Sequence, residues 1–355
     1  MNVALYRQDV VLARSVRASS QVHERRTRLF LRVEDDAVGF GEVAPQLERL
    51  HGDPALEDVV AAVRLLARVI EAMVAREGEL PSWSRVARLV DNRPADLWAA
   101  ALFEMALLDR EMRASGRDAI ETWPENFVTP IQATASLLDD AEWRVAGAAR
   151  VRVKSAPGPL ARGSLERLAS LDVPVIVDYN CSVTRDEEVL DQLETIRSVV
   201  AVDAVEQPYG VGNLADHARL AGILRREHDV ALSLDESVRS LGDLRHVASY
   251  EAATLVCVKP ARVGGLANAR TMIARAGELG LVAYLGGFFE SPYARRVHRT
   301  LARHAVGQPS DVGEVALVGA DDAEATAIAV SFGLEPSAAM LAAATPLAVA
   351  VGEAP

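Results

Sequence analysis

Seven short runs rich in Val, Ile and Leu recur between residues 131 and 285, each separated from the next by a longer stretch. They are Ile131 to Ala135, Val151 to Val153, Val173 to Val177, Val202 to Val205, Ala231 to Leu234, Leu255 to Val258 and Leu281 to Leu285. Segments between them, such as Val189, Leu190, Leu193, Ile196 and Leu266, Ala269, Ile273, Ala276, repeat at the spacing of one helical face. A continuously apolar strand is buried on both faces, and such strands alternating with helices form a parallel sheet covered by helices. Seven units favour a closed barrel over an open sheet. No Gly-rich phosphate loop follows an early strand, which weakens a dinucleotide-binding reading.

The first third reads differently. Val3 to Leu12 is strand-like, and Leu29, Leu31 and Val33 alternate with Phe30, Arg32 and Glu34 before Asp35-Asp36 turns the chain into Ala37 to Val43, a hairpin. Val59, Val63, Leu66, Ile70 and Met73 mark one face of a long helix. Pro94 opens a second helix that ends near Gly116. Strands followed by helices predict a small α+β domain, with a boundary at Glu121 to Val128.

Five consecutive apolar runs end in an ionisable residue: Lys154, Asp178, Glu206, Asp235 and Lys259, at separations of 24, 28, 29 and 24. In a parallel barrel the C-terminal strand ends converge on one mouth, where active sites sit. Three carboxylates from neighbouring strands suit a hard divalent ion that keeps water or substrate oxygens in its other positions, Mg²⁺ rather than zinc. The two lysines are the only ones in the chain; the other 36 of its 38 basic residues are Arg. Arg stays protonated at any usable pH, whereas a buried Lys can lose its proton and act as a base. A metal-bound substrate carboxylate and a lysine base together suit abstraction of an α-proton, with the enediolate stabilised by the metal. Arg152 points to the same side of its strand as Lys154. It either lowers the pKa of Lys154 or pairs with one of the metal-site carboxylates.

A formal charge of −12 argues against a nucleic-acid partner. The apolar stretch from Ala338 to Val351 contains Thr345 and Pro346 and falls short of a membrane span of about 20 residues. The N-terminus lacks the basic start and apolar core of a signal peptide. Cys181 and Cys257 form neither a disulfide framework nor a zinc pattern. The expectation is a soluble, cytoplasmic chain with no membrane or nucleic-acid partner.

These motifs resemble the enolase superfamily, specifically its muconate-lactonizing-enzyme-like subgroup, whose general chemistry pairs a Lys or His base with Mg²⁺. Gly39-Phe40-Gly41-Glu42-Val43-Ala44-Pro45 looks like the cap-domain hairpin. Arg152-Val153-Lys154 is similar to the Lys-x-Lys strand with Arg in its first place, and Asp178-Tyr179-Asn180, Glu206-Gln207-Pro208 and Asp235-Glu236-Ser237 are similar to the three metal-ligand strands. Lys259-Pro260-Ala261-Arg262-Val263-Gly264-Gly265 and Gly286-Gly287-Phe288-Phe289-Glu290-Ser291 resemble the branch of o-succinylbenzoate synthases that also racemises N-succinylamino acids. The resemblance implies a (β/α)₇β TIM-like barrel with an N-terminal α+β capping domain. Residues 1–122 would form the cap, 123–315 the barrel with the active site, and 316–355 a C-terminal segment returning to the cap. It implies Mg²⁺, with Mn²⁺ as a substitute, held by Asp178, Glu206 and Asp235, and a small-molecule carboxylate as substrate. Lys154 would take the α-proton and, once protonated, assist departure of hydroxide, with Lys259 as the cation beside the enediolate. In racemisation the two lysines would act on opposite faces. Arg152, Asn180, Arg262 and Gly287 are expected to contact substrate, and Arg262 matches an arginine of the racemising branch. The mandelate-racemase subgroup is disfavoured because Leu285 to Phe289 contains no His.

Departures from the pattern cluster at the substrate's distal end. Arg152 stands for Lys, Tyr179 and Cys181 flank Asn180, Ser291-Pro292-Tyr293 replaces a glycine-containing turn, and the cap loop from Arg14 to His23 lacks glycine. The implied reaction is therefore o-succinylbenzoate synthesis in menaquinone biosynthesis, with racemase, epimerase or cycloisomerase chemistry as the near rival. A Schiff-base aldolase and a catalytically inactive binding barrel are the remote ones. A homo-oligomer is compatible with the sequence.

Overall fold

A computed structural model of the protein describes residues 2–17, 22–116, 130–139, 143, 145–304, 308–312 and 345–347. Both expected domain boundaries, residues 18–21 of the expected cap loop from Arg14 to His23 and most of the C-terminal segment lie outside the described residues.

The N-terminal strands β1 (Asn2–Arg17), β2 (Val22–Glu34) and β3 (Val38–Val43) form an antiparallel sheet. Two helices follow, α1 (Leu56–Glu77) and α2 (Pro94–Ser115). The predicted apolar face of α1 is buried along Val59, Val63, Leu66, Ile70 and Met73, and Gly78 closes the helix in the left-handed region at φ 80°. Pro94 sits in the first turn of α2, and Gly116 ends it at φ 64°. The Gly39-Phe40-Gly41 motif has a steric reason. A Cβ at Gly39 would meet the Ala106 carbonyl oxygen at 2.1 Å, and one at Gly41 the Leu102 carbonyl at 2.2 Å, so β3 rests directly on the backbone of α2.

Seven parallel strands follow in sequential spatial order: β4 (Gln132–Ser136), β5 (Arg150–Lys154), β6 (Val175–Asp178), β7 (Val202–Glu206), β8 (Ala231–Leu234), β9 (Leu255–Val258) and β10 (Val282–Leu285). Each matches one apolar run to within two residues at its ends. Helices α3 (Arg162–Ala169), α4 (Asp186–Arg197), α5 (Leu214–Ile223), α6 (Leu241–Ser249), α7 (Pro260–Val263), α8 (Leu266–Glu278) and α9 (Pro292–Ala302) return the chain outside the sheet. The ring closes at an eighth position through the described residues Ser310 and Asp311. Gln132 N–H donates to Ser310 O and Ser310 N–H to Pro130 O, each at 2.9 Å, while Asp311 N–H donates to Leu285 O at 2.8 Å. The last described strand, β11 (Thr345–Leu347), pairs antiparallel with β1, so the C-terminal segment returns to the cap sheet.

Alternation along the strands sorts the side chains. Val151, Val153, Val175, Val177, Val205, Leu232, Leu234, Val256 and Val258 belong to the large core that includes the surrounding helices. The opposite parity contributes a small cluster of Ile176, Ala204, Cys257 and Tyr284. Ala231 and Leu255 pack against it, and toward the strands' C-terminal ends that parity turns polar, where barrels usually place branched apolar side chains. Arg150 donates to Gln132 Oε1 at 2.8 Å and lies 5.2 Å from the Tyr284 ring centroid.

Two buried carboxylates fasten the cap to the barrel at helix N-termini, where free N–H groups and the helix dipole accept an anion. Glu104 of α2 accepts from Leu266 N–H and from Ala267 N–H at the start of α8. Gly265 makes room, since a Cβ there would meet the Glu104 carboxylate. Glu42 of β3 accepts from the N–H and hydroxyl of Ser291 at the start of α9. Burial pushes the Glu104 carboxyl up to about 8 against its two N–H donors. A folded-state pKa above the unfolded value, about 4.3 for Glu, gives stability that is complete below pH ~4.3 and is lost as pH rises through 8. Thermal melting of wild type and Glu104→Gln from pH 5 to 9 should show wild type losing more stability up to pH 8. Parallel curves would contradict this account.

Candidate active site

The strand order β9-β8-β7-β6-β5 sets one lysine on each side of three carboxylates. Asp178 and Glu206 close β6 and β7 as neighbours in register, with Lys154 level with Asp178 on β5. Asp235 and Lys259 directly follow β8 and β9. The five predicted residues converge because each is the first inward-pointing residue at its strand's C-terminal end. Asp178, Glu206 and Asp235 are fully or almost fully buried.

Each carboxylate meets positive charge or a hydrogen-bond donor. Lys154 Nζ donates to Asp178 Oδ2, and Asn180 N–H donates to Asp178 Oδ1 at 2.9 Å. Lys259 Nζ donates to Asp235 Oδ2 at 2.8 Å and Arg262 Nη1 to Asp235 Oδ1 at 2.6 Å. Burial opposes the Asp235 charge, but Lys259 and Arg262 outweigh it and hold the carboxyl far below the usual range. Burial likewise opposes the charge on Lys259, and Asp235 outweighs it, keeping that amine above the ordinary lysine value. Glu206 differs. Tyr284 Oη donates to its Oε2, while Oε1 is buried without a hydrogen-bond donor and faces Arg152 Nε at 3.3 Å. Burial raises this carboxyl; Arg152 pulls it back, and Asp178 and Asp235 add to the rise.

Oε1 of Glu206 therefore has Arg152 beside it but no hydrogen-bond donor, and the donor set consists of hard oxygens, so these residues fit a divalent cation in chemistry. Among the described residues, no three His, Cys, Asp or Glu side chains are already drawn into a cation cage. The carboxylates turn to the lysines and arginines instead, as expected of acids that must share buried cations.

The four expected substrate contacts separate. Asn180, at φ 44°, lies in the mouth and donates from Nδ2 to Glu236 Oε1 at 3.2 Å. Arg262 is committed: Nε and Nη2 bind both oxygens of Asp53 at 2.9 and 2.8 Å, and Nη1 binds Asp235. Arg152 lies within the ring against Glu206, Cys257 and Asp311, so of its two expected roles the pairing with a carboxylate is the one seen. Gly287 follows β10, where a Cβ would meet Glu290 Oε2 at 2.6 Å.

Several site groups escaped the sequence reading. Glu236 sits in the Asp235-Glu236-Ser237 motif, with its Oε2 buried and lacking a donor. Burial, then Asp235 and Asp178, raise its pKa. Strand parity with Cys257 marks Tyr284 as inward-pointing, a signal available in the sequence. The cap residues carry no local signal. Asp53 reaches Arg262 across 209 positions, and Arg26 donates to Phe288 O at 3.0 Å across 262. Phe288 in turn lies with its ring centroid 4.5 Å from Lys259 Nζ. His23 stacks near Phe289 at 5.9 Å. Burial, Arg26 and Lys154 lower its pKa to about 4, so a neutral imidazole faces this end of the mouth at pH 7.

No helix among the described residues is long and apolar enough to cross a membrane. Comparison with known proteins agrees with the geometry. The o-succinylbenzoate synthase of Geobacillus kaustophilus is 33% identical over 153 residues, 42% of this chain and 38% of that protein, so the chain matches well under half the length of that relative. The N-succinylamino acid racemase of Thermus thermophilus is 25% identical over 330 residues, covering 89% and 86% of the two chains. The solved N-succinyl Arg/Lys racemase from Bacillus cereus shares the fold at a TM-score of 0.74 and 15% identity, over 98% of this chain and 99% of that one. The family model for the enolase C-terminal domain-like fold matches residues 138–354, more than half of the chain, which belongs to the enolase superfamily.

Proposed function

We propose that the protein is a Mg²⁺-dependent enzyme that removes the α-proton of a small carboxylate and completes o-succinylbenzoate synthesis by dehydration. The observation that carries this reading is the pair of lysines, each hydrogen-bonded to a different carboxylate of a buried triad. Asp178, Glu206 and Asp235 would hold the divalent ion, which supplies electrostatic stabilisation to negative charge on the substrate carboxylate. With an ion held there, Asp178 would no longer be committed to Lys154 Nζ, which would leave that nitrogen free to reach the substrate. Lys154 Nζ takes the α-proton; the resulting ammonium returns it to the departing β-hydroxyl, which leaves as water. Lys259 stays an ammonium beside the developing negative charge, as its raised pKa favours.

Racemisation of an N-succinylamino acid is the second reading, favoured by the two-sided lysine arrangement and by the full-length match to the Thermus thermophilus racemase. Incubation with Mg²⁺ and either the synthase's cyclohexadiene substrate or an N-succinylamino acid in D₂O separates them. Dehydration yields an aromatic product, and racemisation exchanges the α-proton with no net elimination. Absence of both reactions with metal present would sink the proposal.

A further inference from the structure

Arg152 has no counterpart in the five-residue arrangement, yet it stands beside Oε1 of Glu206, a triad oxygen with no hydrogen-bond donor. Its Nε stands 3.3 Å from Glu206 Oε1, and neither atom makes a hydrogen bond. The pair is thus held by charge and not by directional bonding, which leaves the lone pairs of Oε1 open to another ligand. The guanidinium is 2% exposed and is fixed elsewhere: Nη2 donates to Cys257 Sγ at 3.8 Å, and Nη1 lies 3.7 Å from Asp311 Oδ2. Asp311 is itself anchored. Its Oδ1 accepts from Arg295 Nη1 at 2.8 Å, and its N–H bonds to Leu285 O at 2.8 Å across the closing seam of the barrel. Arg295 continues to Glu290, 3.4 Å from its Nε. A buried row of alternating charges therefore runs from Glu290 through Arg295, Asp311 and Arg152 to Glu206.

We propose that Arg152 is a built-in counter-ion for Glu206: it takes the place of the divalent ion when the site is empty and opposes the ion when it binds. Asp311 is the positioning residue that restrains it. This rests on the divalent-ion reading above. Arg cannot lose its proton in a protein, so unlike a lysine at the same place it cannot neutralise itself as a cation arrives. An isolated buried carboxylate is costly, and a permanent guanidinium beside it keeps the empty triad foldable. The same fixed charge within a few ångströms of a dication lowers the affinity of the site. Asp311 moderates that repulsion by sharing the guanidinium.

The two residues therefore pull Mg²⁺ affinity in opposite directions, which a merely structural role would not do. Calorimetric titration of Mg²⁺ should give Arg152→Met a dissociation constant at least tenfold tighter than wild type. Asp311→Asn should give one about threefold weaker. Melting curves in EDTA should show Arg152→Met losing more stability without Mg²⁺ than with it. Weaker or unchanged binding by Arg152→Met overturns the proposal. Rescue of its folding by Mg²⁺ supports it. Should Arg152→Met fold under neither condition, Asp311→Asn decides, and unchanged or tighter binding there overturns it. A wild-type protein with no heat of Mg²⁺ binding would remove the divalent-ion reading and this proposal together, a result distinct from a wrong order among variants.

Discussion

Lys154→Arg lowers turnover by at least about 10³-fold, within the range that positioned acid–base groups contribute. The substitution keeps the positive charge and can keep the ion pair to Asp178, so folding is little disturbed. What it removes is an amine that can give up and regain a proton, which a guanidinium cannot. Lys259→Arg separates the two reactions. In dehydration Lys259 serves only as a cation, and an arginine there reduces kcat by roughly 10- to 100-fold, the scale of a misplaced electrostatic group. In racemisation each face needs its own proton carrier. Lys259→Arg then abolishes inversion while leaving α-proton exchange into D₂O for a single enantiomer. Steady-state rates and proton NMR on both variants measure this directly, and near wild-type turnover by Lys154→Arg would count heavily against the assignment.

The second large effect concerns the metal. Stripping divalent ions with EDTA is expected to reduce activity by more than 10³-fold, since both substrate binding and charge stabilisation depend on the triad. Mg²⁺ or Mn²⁺ restores it. Glu206→Gln should fail to recover, because the amide keeps an acceptor for Tyr284 but removes the charge that would face the ion. A readout without catalysis comes from linkage. A cation at about 100 times its dissociation constant stabilises the folded state by about 2.7 kcal/mol. Wild-type protein should thus melt several degrees higher in Mg²⁺ than in EDTA, and Glu206→Gln should melt at the same temperature in both. Equal melting of wild type in the two buffers would exclude a functional triad.

The strands were legible because burial on both faces leaves a continuous apolar run, and each run from 151 onward ends where the sheet register ends. Lys154, Asp178, Glu206, Asp235 and Lys259 were legible for the same reason: an ionisable residue that ends an apolar run breaks its pattern visibly. Asp311 was not, because Gln308-Pro309-Ser310 precedes it and no apolar run leads into it. The partners of Arg262 could not be read either. Its neighbours in sequence suggest a substrate contact, but Asp53 of the cap claims two of its nitrogens from 209 positions away. Contacts between distant segments leave no periodicity in either segment.

The seating of the cap has a consequence for conditions far from neutrality. Arg26 bonds the carbonyls of Ala44 and Phe288, Arg28 that of Phe289, and Arg239 those of His51 and Gly52. A guanidinium does not titrate in any ordinary buffer, and a peptide oxygen does not take up a proton there. Alkali can slacken the joint through Glu42 and Glu104, whose burial raises both carboxyls, without erasing the address at which the lid sits.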